Sequence, residues 1–162
     1  MNERVRVLIE ALDLRPHPEG GFYKELFRSA SQVKPDDTRE ARSALTTIYF
    51  LLPQGSQSRW HRVQSDEVWH LYEGGPLELL ELSDDRTDLA RHRLAPISNG
   101  DDSPVHTIAA GKWQAARATD NYALVGCTVA PGFEFADFEM MADDSDLSRR
   151  VRDAWPDMAT LI

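Results

Sequence analysis

The most restrictive feature of this sequence is a series of short apolar and β-branched runs that follow one another too closely for long helices to separate them. The runs are residues 22–28, 43–52, 59–61, 67–72, 77–82, 89–94, 105–108, 114–118, 122–129 and 134–140. Gly, Pro, Asn and Asp punctuate the intervals, as expected for turns. The pattern predicts an all-β protein, an antiparallel sandwich or barrel.

The two ends of the chain show helical periodicity instead. The apolar stripe of the first helix is Val5, Leu8, Ile9 and Leu12. Asn2 is available as its N-cap. The stripe of the last helix is Leu147, Val151 and Trp155, before Pro156. A chain of 162 residues can bury a sufficient core without a metal or a disulfide, so we expect one domain over residues 1–162.

The charge balance excludes one class of partner. The chain has 18 Lys and Arg against 27 Asp and Glu, a net charge of −9. Nonspecific nucleic-acid binding requires clustered basic residues, which are dispersed here, so we expect no nucleic-acid partner.

The apolar stretches also limit the location of the protein. The longest, such as residues 49–52 and 123–125, are far shorter than the roughly 20 residues that a membrane helix needs. The N-terminus lacks the apolar core of a secretory signal, and Cys127 has no cysteine partner within the chain. We therefore expect a cytoplasmic protein without a membrane partner. Cys127 is interpreted as a small apolar residue of a strand.

Residues 55–74 carry the clearest functional signal. Gly55 is followed after five residues by His61, and Glu67 and Gly74 follow at fixed intervals. This segment resembles the first motif of the cupin superfamily, Gly-x5-His-x-His-x3or4-Glu-x6-Gly. Val63 stands where that motif has its second metal-binding His.

The second cupin motif is visible only in weakened form. Gly111 matches it, whereas Ala109 replaces its Pro, Gln114 its His and Ala118 its Asn. Two of the four usual metal ligands therefore remain. Further similar runs, at 17–23, 28–29, 60–63, 67–70 and 130–135, resemble an uncharacterised cupin-5-like branch of single-domain cupins. This resemblance covers about residues 12–140 and implies a jelly-roll barrel and a homodimer.

His61 and Glu67 are the main catalytic candidates. A histidine near neutral pKa and a desolvated carboxylate are common proton-transfer groups. His70 is a third candidate. Side chains of a strand alternate between faces, so His70 points away from Glu67 unless a bulge changes the register. The alternative interpretation is that these residues form a hydrogen-bonded structural pair.

A second set of residues is predicted to bind a ligand. Aromatic rings could stack on a sugar or a planar ring, and cations could neutralise an anionic group. The candidates are Tyr49, Trp60, Trp69, Trp113, Gln114, Arg28 and Lys24. Core packing and surface ion pairs are the structural alternatives.

Three functional hypotheses follow. The first is a metal-independent enzyme that resembles an isomerase or epimerase and acts on a sugar- or nucleotide-like small molecule. The resemblance to cupins supplies a precedent, because sugar-nucleotide epimerases of the cupin type use a base provided by the protein. The second is a divalent-metal-dependent oxygenase or hydrolase, with His61, Glu67 and Gln114 as an incomplete ligand set. The third is a binding or storage module without turnover. The sequence assigns no metal ligand and names no cofactor. Exposed sheet edges, like the resemblance, favour a homodimer.

Overall fold

The protein is described from a computed structural model, which covers residues 2–83, 88–97, 100 and 102–162. Helix α1 spans Glu3–Leu12 and helix α2 spans Ser145–Ala154. The strands are β1 (Arg15–Pro16), β2 (Phe22–Arg28), β3 (Gln32–Val33), β4 (Arg42–Ser43), β5 (Thr46–Pro53), β6 (Gln57–Arg62), β7 (Asp66–Gly74), β8 (Leu77–Leu82), β9 (Leu89–Leu94), β10 (Val105–Ile108), β11 (Trp113–Ala118), β12 (Tyr122–Ala130) and β13 (Glu139–Met140). Short 3-10 helices cover Phe135–Asp137, Met141–Asp143 and Pro156–Leu161.

The strands form two antiparallel sheets. The first has the order β1-β2-β5-β12-β7-β10, and the second has the order β13-β6-β11-β8-β9. A small third pair joins β3, in the predicted loop of residues 29–42, to β4 at the end of that loop. The apolar core between the two large sheets includes Phe50, Leu52, Trp69, Leu77, Leu79, Ile108 and Val125. The predicted all-β sandwich is therefore confirmed.

The two terminal helices cover the outer faces of the sandwich. The side chain of Asn2 accepts a hydrogen bond from the Arg4 amide at 2.8 Å, which caps α1 as predicted. Val5 and Leu8 of α1 pack with Leu51 and Leu124 of the first sheet. Each large sheet thus buries apolar side chains on both faces.

Helix α2 is shorter than predicted by one residue. The Asp144 side chain caps its N-terminus, and Trp155 is its C-cap rather than its last turn. Leu147 and Val151 pack on the outer face of the second sheet, against Leu80, Leu82 and neighbouring side chains. Among the described residues, neither helix is long and apolar enough to cross a membrane.

The segment 134–140 corrects one sequence prediction. Its pattern predicts a strand, but the segment contains a 3-10 turn and only the two residues of β13. The reason is local aromatic packing: the ring of Phe133 lies edge-on to Phe135 at 5.0 Å and to Phe138 at 6.1 Å. This packing folds the segment over one end of the sandwich instead of extending it.

Candidate functional site

A cavity of about 300 Å³ lies inside this end of the barrel. Half of its lining residues are acidic, basic or histidine, and most of the others are aromatic or aliphatic. The lining residues are Asp13, Arg15, His17, Glu19, Tyr23, Lys24, Glu25, Arg28, Thr46, Ile48, Phe50, His61, Val63, Glu67, Cys127, Val129, Phe133, Glu134, Phe135 and Phe138. A concave site in which apolar walls adjoin converging polar groups is typical of a ligand-binding pocket.

Strand alternation explains which side chains reach the cavity. His61 and Val63 are two residues apart around the end of β6, and Cys127 and Val129 are two apart on β12. Residues at this spacing point to the same face of a sheet. Two sheets thus contribute His61 and Glu67 to one buried site, as the motif spacing predicts.

Glu19 is a central member of the site that the sequence did not identify as a catalytic candidate. It belongs to the turn before β2, and its carboxylate oxygen Oε2 lies 3.2 Å from His61 Nε2. Ser58 Oγ donates a 2.7 Å hydrogen bond to its other oxygen, Oε1. The Arg59 amide, in turn, donates to the Glu19 carbonyl oxygen at 2.9 Å, so the turn is attached to β6 through its backbone.

The tautomer of His61 follows from its hydrogen bonds. Its Nδ1 lies 2.7 Å from the carbonyl oxygen of Arg59, and a carbonyl can only accept. Nδ1 therefore carries the proton. In the neutral ring, Nε2 is then an acceptor, and it faces Glu19 Oε2. This contact is satisfied only if a proton lies between the two groups.

The raised pKa of Glu19 indicates that Glu19 carries this proton. Burial raises the pKa of Glu19 to about 8, against a smaller lowering by the Ser58 hydrogen bond and the Arg59 charge. Burial also lowers the pKa of His61, although the charge of Glu67 opposes this effect. At neutral pH, a protonated Glu19 therefore donates to a neutral His61. The two residues form a buried pair that shares one proton.

Glu67 is held by a different set of donors. The Gln114 side-chain amide donates to Glu67 Oε2, and the Cys127 thiol also hydrogen-bonds to this carboxylate. Burial nevertheless raises the pKa of Glu67, against smaller lowering effects of His61 and of the Gln114 hydrogen bond. Burial also raises the pKa of Cys127 well above its usual value, so this residue stays a thiol.

The cupin metal centre implied by the resemblance does not fit these residues. Trp69 Nε1 donates to Gln114 Oε1 at 2.9 Å, and an indole nitrogen is a donor only. The Gln114 oxygen is therefore engaged, and its NH2 group faces Glu67. Val63 offers no ligand atom. Within the described part of the chain, the cavity does not bring three ligand atoms within 4.8 Å of one another.

His17 is a second cavity residue absent from the predicted set. Its Nδ1 accepts a hydrogen bond from the Glu19 amide at 3.3 Å, which places the proton of the neutral ring on Nε2. Its ring lies edge-on to Tyr23 at 4.6 Å and to Phe50 at 5.8 Å. Burial, with a smaller contribution from the charge of His61, lowers the pKa of His17 to about 4. His17 is therefore neutral at physiological pH.

The two predicted cations line the mouth of the cavity, and both are ion-paired. Arg28 bonds to both oxygens of Glu25, to Glu134 at 2.9 Å and to the Phe133 carbonyl oxygen. Lys24 lies 3.4 Å from Asp13. Because its donors are engaged, Arg28 connects β2 to the 133–135 segment rather than presenting an open anion site.

The predicted aromatic residues lie elsewhere. Trp60 and Trp113 pack under α2 on the outer face of the second sheet, and Trp69 belongs to the core between the sheets. Tyr49 packs beneath α1 with its ring edge-on to Tyr72, 6.0 Å away. None of these four lines the cavity described above. The rings that do are Tyr23, Phe50, Phe133, Phe135 and Phe138.

His70 also lies outside the cavity. Its ring stacks on Tyr72 at 6.4 Å, on the face of β7 opposite Glu67 and Trp69. The pairing of β7 with β12 does contain an irregularity, but it falls at Tyr72, after His70. His70 therefore keeps the alternate orientation, and the structure does not bring it to His61.

The raised pKa of Glu19 predicts a pH-dependent stability. Between pH 4.5 and 8, the folded state retains a proton on Glu19 that the unfolded state has lost, so stability falls as pH rises. His17 has the opposite sign, since its pKa is lowered, but its effect ends near pH 6.5. From pH 6.5 to 8 we expect the free energy of unfolding to fall by about 1–2 kcal/mol.

Urea titrations at pH 6.5 and 8 measure this decline. Glu19→Gln keeps an acceptor for Ser58 and a donor for His61, but it does not titrate, so most of the decline should vanish. Glu73→Gln is the matched control because the Arg4 hydrogen bond lowers the pKa of Glu73 to about 2, far from this range. An equal decline in Glu19→Gln and the parent would contradict the assignment.

Comparisons with known proteins agree with the fold. The chain matches the model of a family described as "Cupin superfamily (DUF985)" over residues 6–141. A hypothetical protein from Leishmania major is 33% identical, with a TM-score of 0.81; the match covers 97% of this chain and 95% of that one. No curated protein matches the chain.

Two further solved structures are similar. A protein from Shewanella oneidensis is 29% identical, with a TM-score of 0.80 over 96% of this chain and 92% of that one. A cupin 2 conserved barrel domain protein from Rhodopseudomonas palustris is 12% identical, with a TM-score of 0.56 over 91% and 84%. The second similarity concerns the fold alone and confirms the expected jelly roll.

Proposed function

Since the chain belongs to the cupin superfamily, in the family described as DUF985, we propose that its cavity binds a small sugar-like carbonyl compound and transfers protons on it, as an isomerase or epimerase does. The observation that carries this proposal is the contact between His61 Nε2 and Glu19 Oε2, 3.2 Å apart and buried at the cavity. Perturbed, desolvated acid–base groups of this kind are characteristic of active sites.

The reaction requires one acid and one base. A base removes the proton from the carbon next to the carbonyl while an acid protonates the carbonyl oxygen, which gives an enediol. The base then returns its proton to carbon, and a hydroxyl group of the enediol gives its proton back to the acid, which completes the isomerisation and restores both groups. The protonated Glu19, in contact with His61, is the acid. Glu67 is the base, because burial makes its carboxylate more basic than usual. No electrons are gained or lost, so no redox cofactor is needed.

The walls of the cavity define the class of ligand. The rings of Phe133, Phe135 and Phe138 lie on one side, and Phe138 also stacks against His61 at 5.4 Å. Aromatic faces pack well on the apolar face of a sugar ring, and a volume of about 300 Å³ suits a small ligand. The paired state of Arg28 argues against a highly charged anion.

Deuterium exchange tests the proposal on a panel of candidate substrates. Untagged protein is incubated in D2O with aldoses and ketoses of three to six carbons, their monophosphates and keto forms of nucleotide sugars, and proton NMR follows the hydrogen next to the carbonyl. We expect protein-dependent exchange in at least one compound.

The outcomes separate the functional classes. Exchange that survives removal of metals by a chelator supports metal-independent proton transfer. A compound that raises the unfolding temperature without exchanging its hydrogen identifies a binding module. Absence of both exchange and binding across the panel overturns the proposal.

A further inference from the structure

A second cluster of ionisable residues lies away from the cavity, where the edges of the two large sheets meet. Glu81 is on β8 and His92 on the edge strand β9 of the second sheet, whereas His106 is on β10, the edge strand of the first sheet. One ligand atom from each of these three residues lies within 4.8 Å of the other two. All three side chains are partly buried.

The spacing of these atoms resembles that of a metal site. Glu81 Oε2 lies 3.2 Å from His92 Nε2 and 3.6 Å from His106 Nε2. Ligand atoms bound at 2.0–2.1 Å to a tetrahedral Zn²⁺ are about 3.3 Å apart. The two imidazoles stack with their centroids 3.6 Å apart, and both Nε2 atoms lie near the same carboxylate oxygen.

The Nε2 atom of His106 is a second, independent indication of a metal site. This atom is buried and has no hydrogen-bond partner in the described part of the chain, since 3.6 Å to Glu81 is longer than a hydrogen bond. Buried polar atoms are normally satisfied, so this nitrogen calls for a ligand.

The surroundings leave the required oxygen accessible. Lys112 Nζ bonds to the other oxygen of Glu81, Oε1, at 2.7 Å, so it fixes the carboxylate while Oε2 faces the histidines. Beside the cluster is a cleft of about 430 Å³ lined in part by Arg93, Asp102 and Ser103. Arg93 and Asp102 are ion-paired, which limits repulsion of a cation. Water from the cleft can complete the coordination.

We propose that Glu81, His92 and His106 bind a divalent transition-metal ion, with Zn²⁺ as the best match to two imidazoles and one carboxylate. The ion joins β9 to β10 and thereby holds the two sheets together at this edge. Its role is structural, and it is separate from the proton-transfer site. Neither the cupin motifs nor the proposed function uses these three residues.

Zinc titration of untagged, chelator-treated protein tests the site. Competition with a chromophoric chelator should show one Zn²⁺ per chain with a Kd in the micromolar range or tighter. At a free concentration of 100 times Kd, we expect the unfolding temperature to rise by about 5–10 °C. Co²⁺ should give visible d–d absorption typical of a tetrahedral site.

Variants assign the ligands. His92→Ala and Glu81→Gln should each weaken Zn²⁺ binding at least tenfold and abolish the Co²⁺ spectrum, with circular dichroism confirming that each remains folded. His70→Ala is the matched control, since this histidine lies outside both sites and should leave Zn²⁺ binding unchanged. No binding by the parent at 100 µM Zn²⁺, undiminished binding in His92→Ala, or binding lost only in His61→Ala would each overturn the proposal.

Discussion

Glu19→Gln is expected to lower the rate of deuterium exchange by about 10²- to 10⁴-fold, the usual contribution of a general acid or base. Glutamine accepts the Ser58 hydrogen bond and donates to His61 Nε2 as the protonated Glu19 does. The geometry of the site is thus retained, and what the variant lacks is the transferable proton. The loss should therefore appear in kcat, with KM changed little.

The exchange rate of the best compound of the panel, measured over a range of concentrations, gives both parameters. Glu73→Gln is the control, because this exposed carboxylate pairs with Arg4 outside the cavity and its loss should not change the rate. If Glu19→Gln exchanged within threefold of the parent, Glu19 would only position His61. Unchanged kcat with raised KM would instead indicate a binding role.

The fold, and the placement of His61 and Glu67 in one site, could be predicted from the sequence because both depend on local patterns. Short alternating runs define strands locally, and the spacing of His61 and Glu67 lies within two consecutive strands joined by a turn. Such local relations do not depend on the rest of the tertiary structure. Their convergence in one cavity follows directly from strand pairing and alternation.

Glu19 and His17 could not be identified in the same way. They lie about 40 residues before His61, in a turn that reaches β6 only through tertiary contacts. The local signals are the resemblance of residues 17–23 to the cupin-5-like branch and the Pro18–Gly21 turn, whose two glycines need no functional explanation. A periodic sequence pattern identifies a single strand or helix, and it does not show which distant strand a turn will contact.

The predicted aromatic residues lie outside the cavity for a related reason. Trp60 and Trp113 lie on strands of a sheet that is apolar on both faces, because α2 covers its outer side. An apolar residue on such a strand can face the barrel or the helix, and alternation alone does not say which. The same ambiguity applies to Tyr49, which α1 covers.

The turn that carries Glu19 depends on a glycine, and Gly20→Ala is expected to destabilise the protein strongly. Gly20 has a φ of +119°, and a Cβ built there would lie 2.0 Å from the Gln57 carbonyl oxygen. That oxygen belongs to the backbone of β6, so relief of the clash requires the turn or the strand to move. We expect a loss of about 3–5 kcal/mol in the free energy of unfolding, the range of the largest single-residue effects.

Gly55→Ala separates the clash from the backbone strain. Gly55 also has a positive φ, +79°, but a Cβ there would meet nothing within 4 Å. Gly55→Ala should therefore lower the free energy of unfolding only by the cost of an alanine in the left-handed region, about 1–2 kcal/mol. Urea unfolding of both variants at one pH, with unchanged m-values, gives the comparison.

The difference between the two variants links the turn to the site. Glu19 precedes Gly20 in this turn, and its carbonyl oxygen and carboxylate bond to Arg59 and Ser58 of β6. Movement of the turn away from Gln57 therefore breaks these contacts and separates Glu19 from His61. Gly20→Ala should therefore lose both deuterium exchange and the decline of stability above pH 6.5, whereas Gly55→Ala keeps both. Equal destabilisation of the two variants would contradict this prediction. It would show that the turn shifts without cost, and that its packing against β6 does not position Glu19 beside His61.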